Sequence, residues 1–131
     1  NYPDRRSGAL LGVHEGRLDE SPYLVPQEFG LRTDCRWFEL LDPTSGQRVR
    51  VDVIDPGVMH CSATHYRSAD LFAAGTHTQL VPRPEVIVHL DVAHRGLGTA
   101  SCGPDVLPQY RLSAGRYRFA YRLSVRGAVH G

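Results

Sequence analysis

Apolar and polar positions alternate with a period of two along several stretches of this chain, the spacing of strands buried on one face. The pattern is clearest near the end. Tyr117, Phe119, Tyr121, Leu123 and Val125 fall on one face, and Arg118, Ala120, Arg122, Ser124 and Arg126 on the other. Tyr110-Arg111-Leu112 precedes this stretch across a turn at Ser113-Ala114-Gly115, so the two together predict a hairpin. Arg48-Val49-Arg50-Val51-Asp52-Val53 alternates as well, and the turn Asp42-Pro43-Thr44-Ser45-Gly46 joins it to a strand over residues 31–41. In that strand Arg32, Asp34 and Arg36 share a face, where opposite charges would form a modest solvated ladder. Residues 9–14, 59–66 and 86–92 are further strand candidates.

Helical signal is scarce. Ser68-Ala69-Asp70-Leu71-Phe72-Ala73-Ala74-Gly75 offers a Ser N-cap, an acid in the first turn and a Gly stop, which predicts one or two turns crossing between strands. Proline and glycine recur between the strands, at Ser21-Pro22, Val25-Pro26, Pro82-Arg83-Pro84 and Gly103-Pro104. Many short strands with this punctuation predict an all-β sandwich or barrel. No repeat, linker or low-complexity tract divides residues 1–131, so they are read as one unit.

The composition, 41% hydrophobic and 22% charged over 131 residues, is that of a folded globular chain with a core of its own. No apolar run is long enough to cross a bilayer. The first residues are polar and lack the apolar stretch of a secretion signal or an initiator Met, which points to a cytoplasmic protein with a processed or truncated start. All 15 basic residues are arginine, yet they are scattered from Arg5 to Arg126 without the clustering that nucleic-acid binding needs. Cys35, Cys61 and Cys102 are odd in number and unpatterned in spacing, so reduced thiols are expected and a disulfide framework is not; one pair stays open.

Candidate chemistry is sparse. Among the 7 histidines the closest groupings are His60 and His65 around Cys61, and His89 with His94. Residues five apart in a strand point to opposite faces, so neither pair converges without a bend, and no metal-ligand spacing is present. Ser101-Cys102-Gly103 lacks the flanking glycines of a nucleophile elbow. Glycoside hydrolysis needs two carboxylates at a set distance; Glu15, Glu28 and Glu85 are available, but nothing in the spacing pairs any two of the acids. The small, polar run Gly96-Leu97-Gly98-Thr99-Ala100-Ser101-Cys102-Gly103-Pro104-Asp105 is the kind of loop that carries function, or merely connects.

Longer motifs carry a resemblance. Asn1-Tyr2-Pro3-Asp4-Arg5, then Pro22-Tyr23-Leu24-Val25-Pro26-Gln27-Glu28-Phe29-Gly30-Leu31-Arg32 with Arg36-Trp37, resemble segments of the C-terminal domain of glycoside hydrolase family two β-galactosidases of the large bacterial type. Cys61-Ser62-Ala63-Thr64-His65-Tyr66, Leu90-Asp91 through Gly96-Leu97-Gly98, Ser101-Cys102-Gly103-Pro104 and Tyr110-Arg111-Leu112-Ser113-Ala114-Gly115-Arg116-Tyr117 resemble further segments of that domain, in the same order.

The resemblance implies an antiparallel β-supersandwich, like that of galactose mutarotases, of which this chain is one part. It implies that the catalytic glutamates, and the magnesium and sodium ligands, lie on the rest of the enzyme, with no cofactor on this segment. It implies a loop at residues 101–103 edging the galactose site, where Cys102 stands in the place of a sugar-stacking Trp, with Ser101 and Gly103 beside it. The partners implied are the rest of the β-galactosidase chain, a β-galactoside such as lactose, and further copies of the chain. The competing expectation is a free-standing sugar-binding or assembly module using His65, His89, His94 and Glu85.

Overall fold

A computed structural model describes residues 11–18, 23–95 and 103–127. At its centre is one long hairpin that bends. β1 (Arg32–Cys35) and β2 (Trp37–Leu41) form its outgoing arm, and β3 (Arg48–Asp55) and β4 (Met59–Thr64) its return. β2 pairs with β3 and β1 with β4, both antiparallel, but the two pairs belong to different sheets. The outgoing arm changes sheet at Arg36, whose carbonyl accepts from the Val53 N–H at 2.9 Å. The return arm changes sheet at Asp55-Pro56-Gly57, where Gly57 takes a φ of 96° that suits a residue without Cβ.

The hairpin's tip is set by Asp42. Its carboxylate accepts the Thr44 N–H (2.9 Å) and the Ser45 hydroxyl (2.5 Å), while the Gly46 N–H bonds the Asp42 carbonyl at 2.8 Å. Those bonds, the Ser45 hydroxyl foremost, hold the Asp42 carboxyl below the usual carboxylate range.

Each hairpin half gains a third antiparallel strand. β5 (Ile87–Asp91) lies against β4, giving the order β1-β4-β5; β6 (Ala120–Arg126) lies against β3, giving β2-β3-β6. Between β4 and β5 come α1 (Ser68–Ala73), the one α-helix among the described residues, and a 3₁₀ turn at His77–Gln79, so the expected all-β antiparallel class holds.

Several sequence expectations are corrected. The stretch 31–41 is two strands, because one extra residue in β1 bulges it: Arg32 opposes Cys61 and Cys35 opposes Met59, with Asp34 at φ 58°. The bulge ends the regular face on which Arg32, Asp34 and Arg36 were placed. The solvated ladder forms instead on β2 and β3, as Arg48–Glu39 (2.6 Å) and Arg50–Asp52 (2.8 Å), with the Arg50 guanidinium 4.2 Å above the Trp37 ring. The terminal hairpin does not form. Pro108–Tyr110 is a 3₁₀ turn, residues 111–119 contain no strand, and β6 takes β3 as its partner. Residues 11–14 contain no strand; residues 9 and 10 lie outside the described residues.

In α1 the N-cap is Arg67, not Ser68. Its N–H bonds the Asp70 carboxylate at 2.9 Å, and Ser68 donates instead to Glu28 at 2.8 Å. Since β4 and β5 are adjacent and antiparallel, α1 connects neighbours and does not cross the sheet.

Met59 and Cys61 on one face of β4, Thr64 at its end, Leu71 of α1, and Phe29 and Leu31 before β1 are buried, as is Val51 in the middle of β3. Register places Val49, Val51 and Val53 of β3 beside Val125, Leu123 and Tyr121 of β6, forming one apolar face with Phe38 and Leu40. Outward from Val51 that face is open: Tyr121, Leu123 and Val125 are exposed. The opposite face carries Glu39, Arg48, Arg50, Asp52, Arg122 and Arg126. Arg118 reaches Asp55 at 3.6 Å from an almost fully exposed position.

Candidate functional site

The β4–β5 pair has one apolar and one polar face because its two sequences alternate in register. Ser62 sits opposite His89, and His60 opposite Asp91, so His60, Ser62, Thr64, His89 and Asp91 share the polar side. A shallow cleft open to solvent, with a cavity volume of only about 40 Å³, forms there. Its other walls come from Glu28 and Phe29 before β1, Tyr66 after β4, and Ser68 and Leu71 of α1.

The bend at residues 92–93, directly after β5, turns His94 back so that it lines the same cleft as His89. This pair therefore does converge, by the bend that a straight strand lacks. His94 Nδ1 stands 3.5 Å from the Asp91 carboxylate, and its ring meets that of His60 edge-on at 6.4 Å. Phe29 and Tyr66 lie 6.4 Å apart, tilted by 50°. Carboxylates and imidazoles beside aromatic rings can accept and donate hydrogen bonds to hydroxyl groups and cover apolar C–H faces. Among the described residues no set of three His, Cys, Asp or Glu side chains converges to hold a metal ion.

His65 is outside this cleft. Its Nδ1–H donates to the Arg83 carbonyl (2.9 Å) and lies 3.3 Å from that of Glu85, fixing the connection before β5. The Glu85 side chain is exposed and does not line the cleft, and Glu15 is exposed as well. Asp70 is gripped by Arg83 through two bonds of 2.6 and 2.7 Å, and that guanidinium holds its carboxyl far below the usual range. The Arg50 guanidinium does the same, more weakly, for Asp52. A general acid needs a shift in the opposite direction, so neither carboxylate is poised as one.

Ser101 and Cys102 lie outside the described residues; Gly103 is described and exposed. The feet of their loop are joined. Arg95 donates to Asp105 at 2.6 Å across residues 96–104, Arg111 approaches the same carboxylate at 3.3 Å, and Arg111 Nε also bonds the Val106 carbonyl at 3.0 Å. The Arg95 bond holds the Asp105 carboxyl below its usual range. Sequence reasoning quoted Asp105 only as the end of the loop. The signal was the acid placed between two arginines, which composition cannot tell from a solvated charge.

Residues 1–123 match the family described as β-galactosidase small chain. The chain is 34% identical over 116 residues to a β-galactosidase of Arthrobacter sp. (strain B7), which covers 86% of this chain and 11% of that protein. It is 30% identical over 133 residues to a β-galactosidase of Pseudoalteromonas haloplanktis, covering 98% and 12% respectively. A β-galactosidase of Lactobacillus delbrueckii subsp. bulgaricus is 32% identical over 120 residues, covering 90% and 12%. The chain thus spans about an eighth or less of the length of these relatives. With an all-β antiparallel fold beneath a match that runs over nearly its whole length, the chain belongs to the β-galactosidase small-chain family.

Proposed function

We propose that this chain is a non-catalytic part of a glycoside hydrolase family two β-galactosidase, its domain five, within an enzyme that cleaves terminal β-D-galactosides such as lactose. The catalytic glutamates, and the magnesium and sodium ions, belong to the remainder of that enzyme. The observation that carries the reading is the apolar face of β6, which stays open here while the relatives extend far beyond the matched segment. Covering a Leu or Val that is more than half exposed contributes roughly 1 kcal/mol or more each, so Leu123 and Val125 favour a packing partner. The rest of the β-galactosidase chain supplies it, and further copies join as a homo-oligomer in the cytoplasm.

The isolated chain tests the first part. It should not turn over a chromogenic β-galactoside, since two suitably spaced carboxylates are the minimum for that chemistry. Turnover that survives repurification and is lost on one Glu or Asp substitution contradicts the proposal. The loop of Ser101, Cys102 and Gly103 edges the sugar site in this reading. A thiol there offers little stacking area, so Cys102→Trp in the full-length enzyme should change KM for lactose more than kcat. Unchanged kinetics would remove the loop from the site.

The cleft of Glu28, His89, Asp91 and His94 favours a second reading, a free-standing sugar-binding module. The upstream coding sequence separates the two. A contiguous catalytic barrel supports the first, and a start codon directly before Asn1 the second.

A further inference from the structure

The bulge in β1 has a chemical consequence. Because Cys35 opposes Met59 and Arg32 opposes Cys61, the thiols of Cys35 and Cys61 emerge on the same side of the β1–β4 pair as diagonal neighbours. Both are free thiols. Their surroundings differ. Cys61 is buried in the core beside Met59, with its sulfur 4.0 Å from the Met59 carbonyl; Cys35 is only half-buried, 3.5 Å from the Arg32 carbonyl. Nothing in the glycosidase reading uses either group.

We infer that Cys35 and Cys61 are a redox-responsive pair, which a peroxide-class oxidant converts into a disulfide joining β1 to β4. The half-exposed Cys35 is the attacking thiolate and the buried Cys61 resolves it. Cys35 sulfur attacks one oxygen of hydrogen peroxide. An S–O bond forms, the O–O bond breaks, and hydroxide leaves, taking a proton to become water. Cys61 sulfur then attacks Cys35 sulfur. The S–S bond forms, the S–O bond breaks, and the Cys61 proton leaves with the departing hydroxide as a second water. The two thiols lose two electrons and the peroxide gains them.

The charges around the pair suit these roles. The neighbouring Cys61 thiol, helped by nearby Arg32 and opposed by burial and Asp34, brings the Cys35 thiol down to about 7. Its neighbour Cys35, with burial and Asp91 on β5, pushes the Cys61 thiol up and keeps its proton in place until it is needed.

The full-length enzyme tests this. It is treated with hydrogen peroxide at a dose that oxidises a small thiol, blocked with N-ethylmaleimide, and digested with trypsin without reductant. The expected product is the peptide of residues 33–36 linked to that of residues 51–67, released by dithiothreitol. Cys61→Ala should lose the link and leave Cys35 as a sulfenic acid that dimedone captures; Cys35→Ser should leave Cys61 reduced. Recovery of both wild-type cysteines as maleimide adducts, a link to Cys102 in their place, or no dimedone adduct in Cys61→Ala would overturn the inference. The wild-type map alone decides it if a variant fails to fold.

Discussion

The sheets β1-β4-β5 and β2-β3-β6 have three strands each and come from one bent hairpin, yet they finish differently. In β4, Met59, Cys61 and Thr64 keep 1%, 4% and 7% of their surface exposed. In β6, Tyr121, Leu123 and Val125 keep 44%, 59% and 68%. Before β1 and in α1, Phe29, Leu31 and Leu71 are buried as well. Among the described residues β6 has β3 as its strand partner, while its apolar face stays exposed. Alternation along a strand therefore identifies a face that is to be buried, and does not say whether the burying residues belong to the same segment.

Substitutions on the two sides should separate accordingly. The largest effect is expected from Val51→Asp, which places an unpaired carboxylate in the middle of β3, where Val51 is 3% exposed. A cost of about 4 kcal/mol or more is expected in urea unfolding of the chain, and a midpoint close to wild type would mean that this core is not closed. Met59→Ala removes the largest fully buried side chain among the described residues and should cost about 2–5 kcal/mol.

Val125→Asp, two register positions away on the open face, should change the stability of the isolated chain by only about 0.5 kcal/mol. It should instead act on association: wild type is expected to sediment as a dimer or larger, and the variant as a monomer. Equal sedimentation, or a large loss of stability, would remove the distinction between the faces.

The smallest expected effect concerns acid. Arg83 depresses the Asp70 carboxyl, so its contribution is full above the ordinary carboxylate pKa and is lost as pH falls through the depressed folded value. Asp70→Asn should flatten the pH dependence of stability between neutral and strongly acidic solution, followed by circular dichroism. An unchanged profile would mean that the Arg83 grip adds nothing to the connection before β5.

Strands with a local partner were legible in the sequence. Asp42 to Gly46 announced the β2–β3 turn, and period-two alternation placed β3, β4 and β5. What depends on distant pairing was not. The alternation of residues 117–125 is the same whether the partner is the preceding segment or β3, and turn chemistry at Ser113-Ala114-Gly115 favoured the nearer one. The proline at the start of the Pro108–Tyr110 turn has no N–H to give a ladder. The cleft was hidden for a related reason: it gathers side chains from before β1, β4, α1 and β5, and needs the bend after Asp91 to aim His94. The meeting of Cys35 with Cys61 likewise depends on a one-residue bulge, which shifts register without altering composition.

The central claim is that the open face of β6 is a seat for the rest of a β-galactosidase chain. Hydroxyl-radical footprinting reads it directly, by comparing the full-length enzyme with the isolated chain held dilute enough to sediment as a monomer. Tyr121, Leu123 and Val125 should be labelled readily in the isolated chain and protected in the enzyme, while Val51 is protected in both. Equal labelling of Tyr121, Leu123 and Val125 in the two samples would contradict the claim.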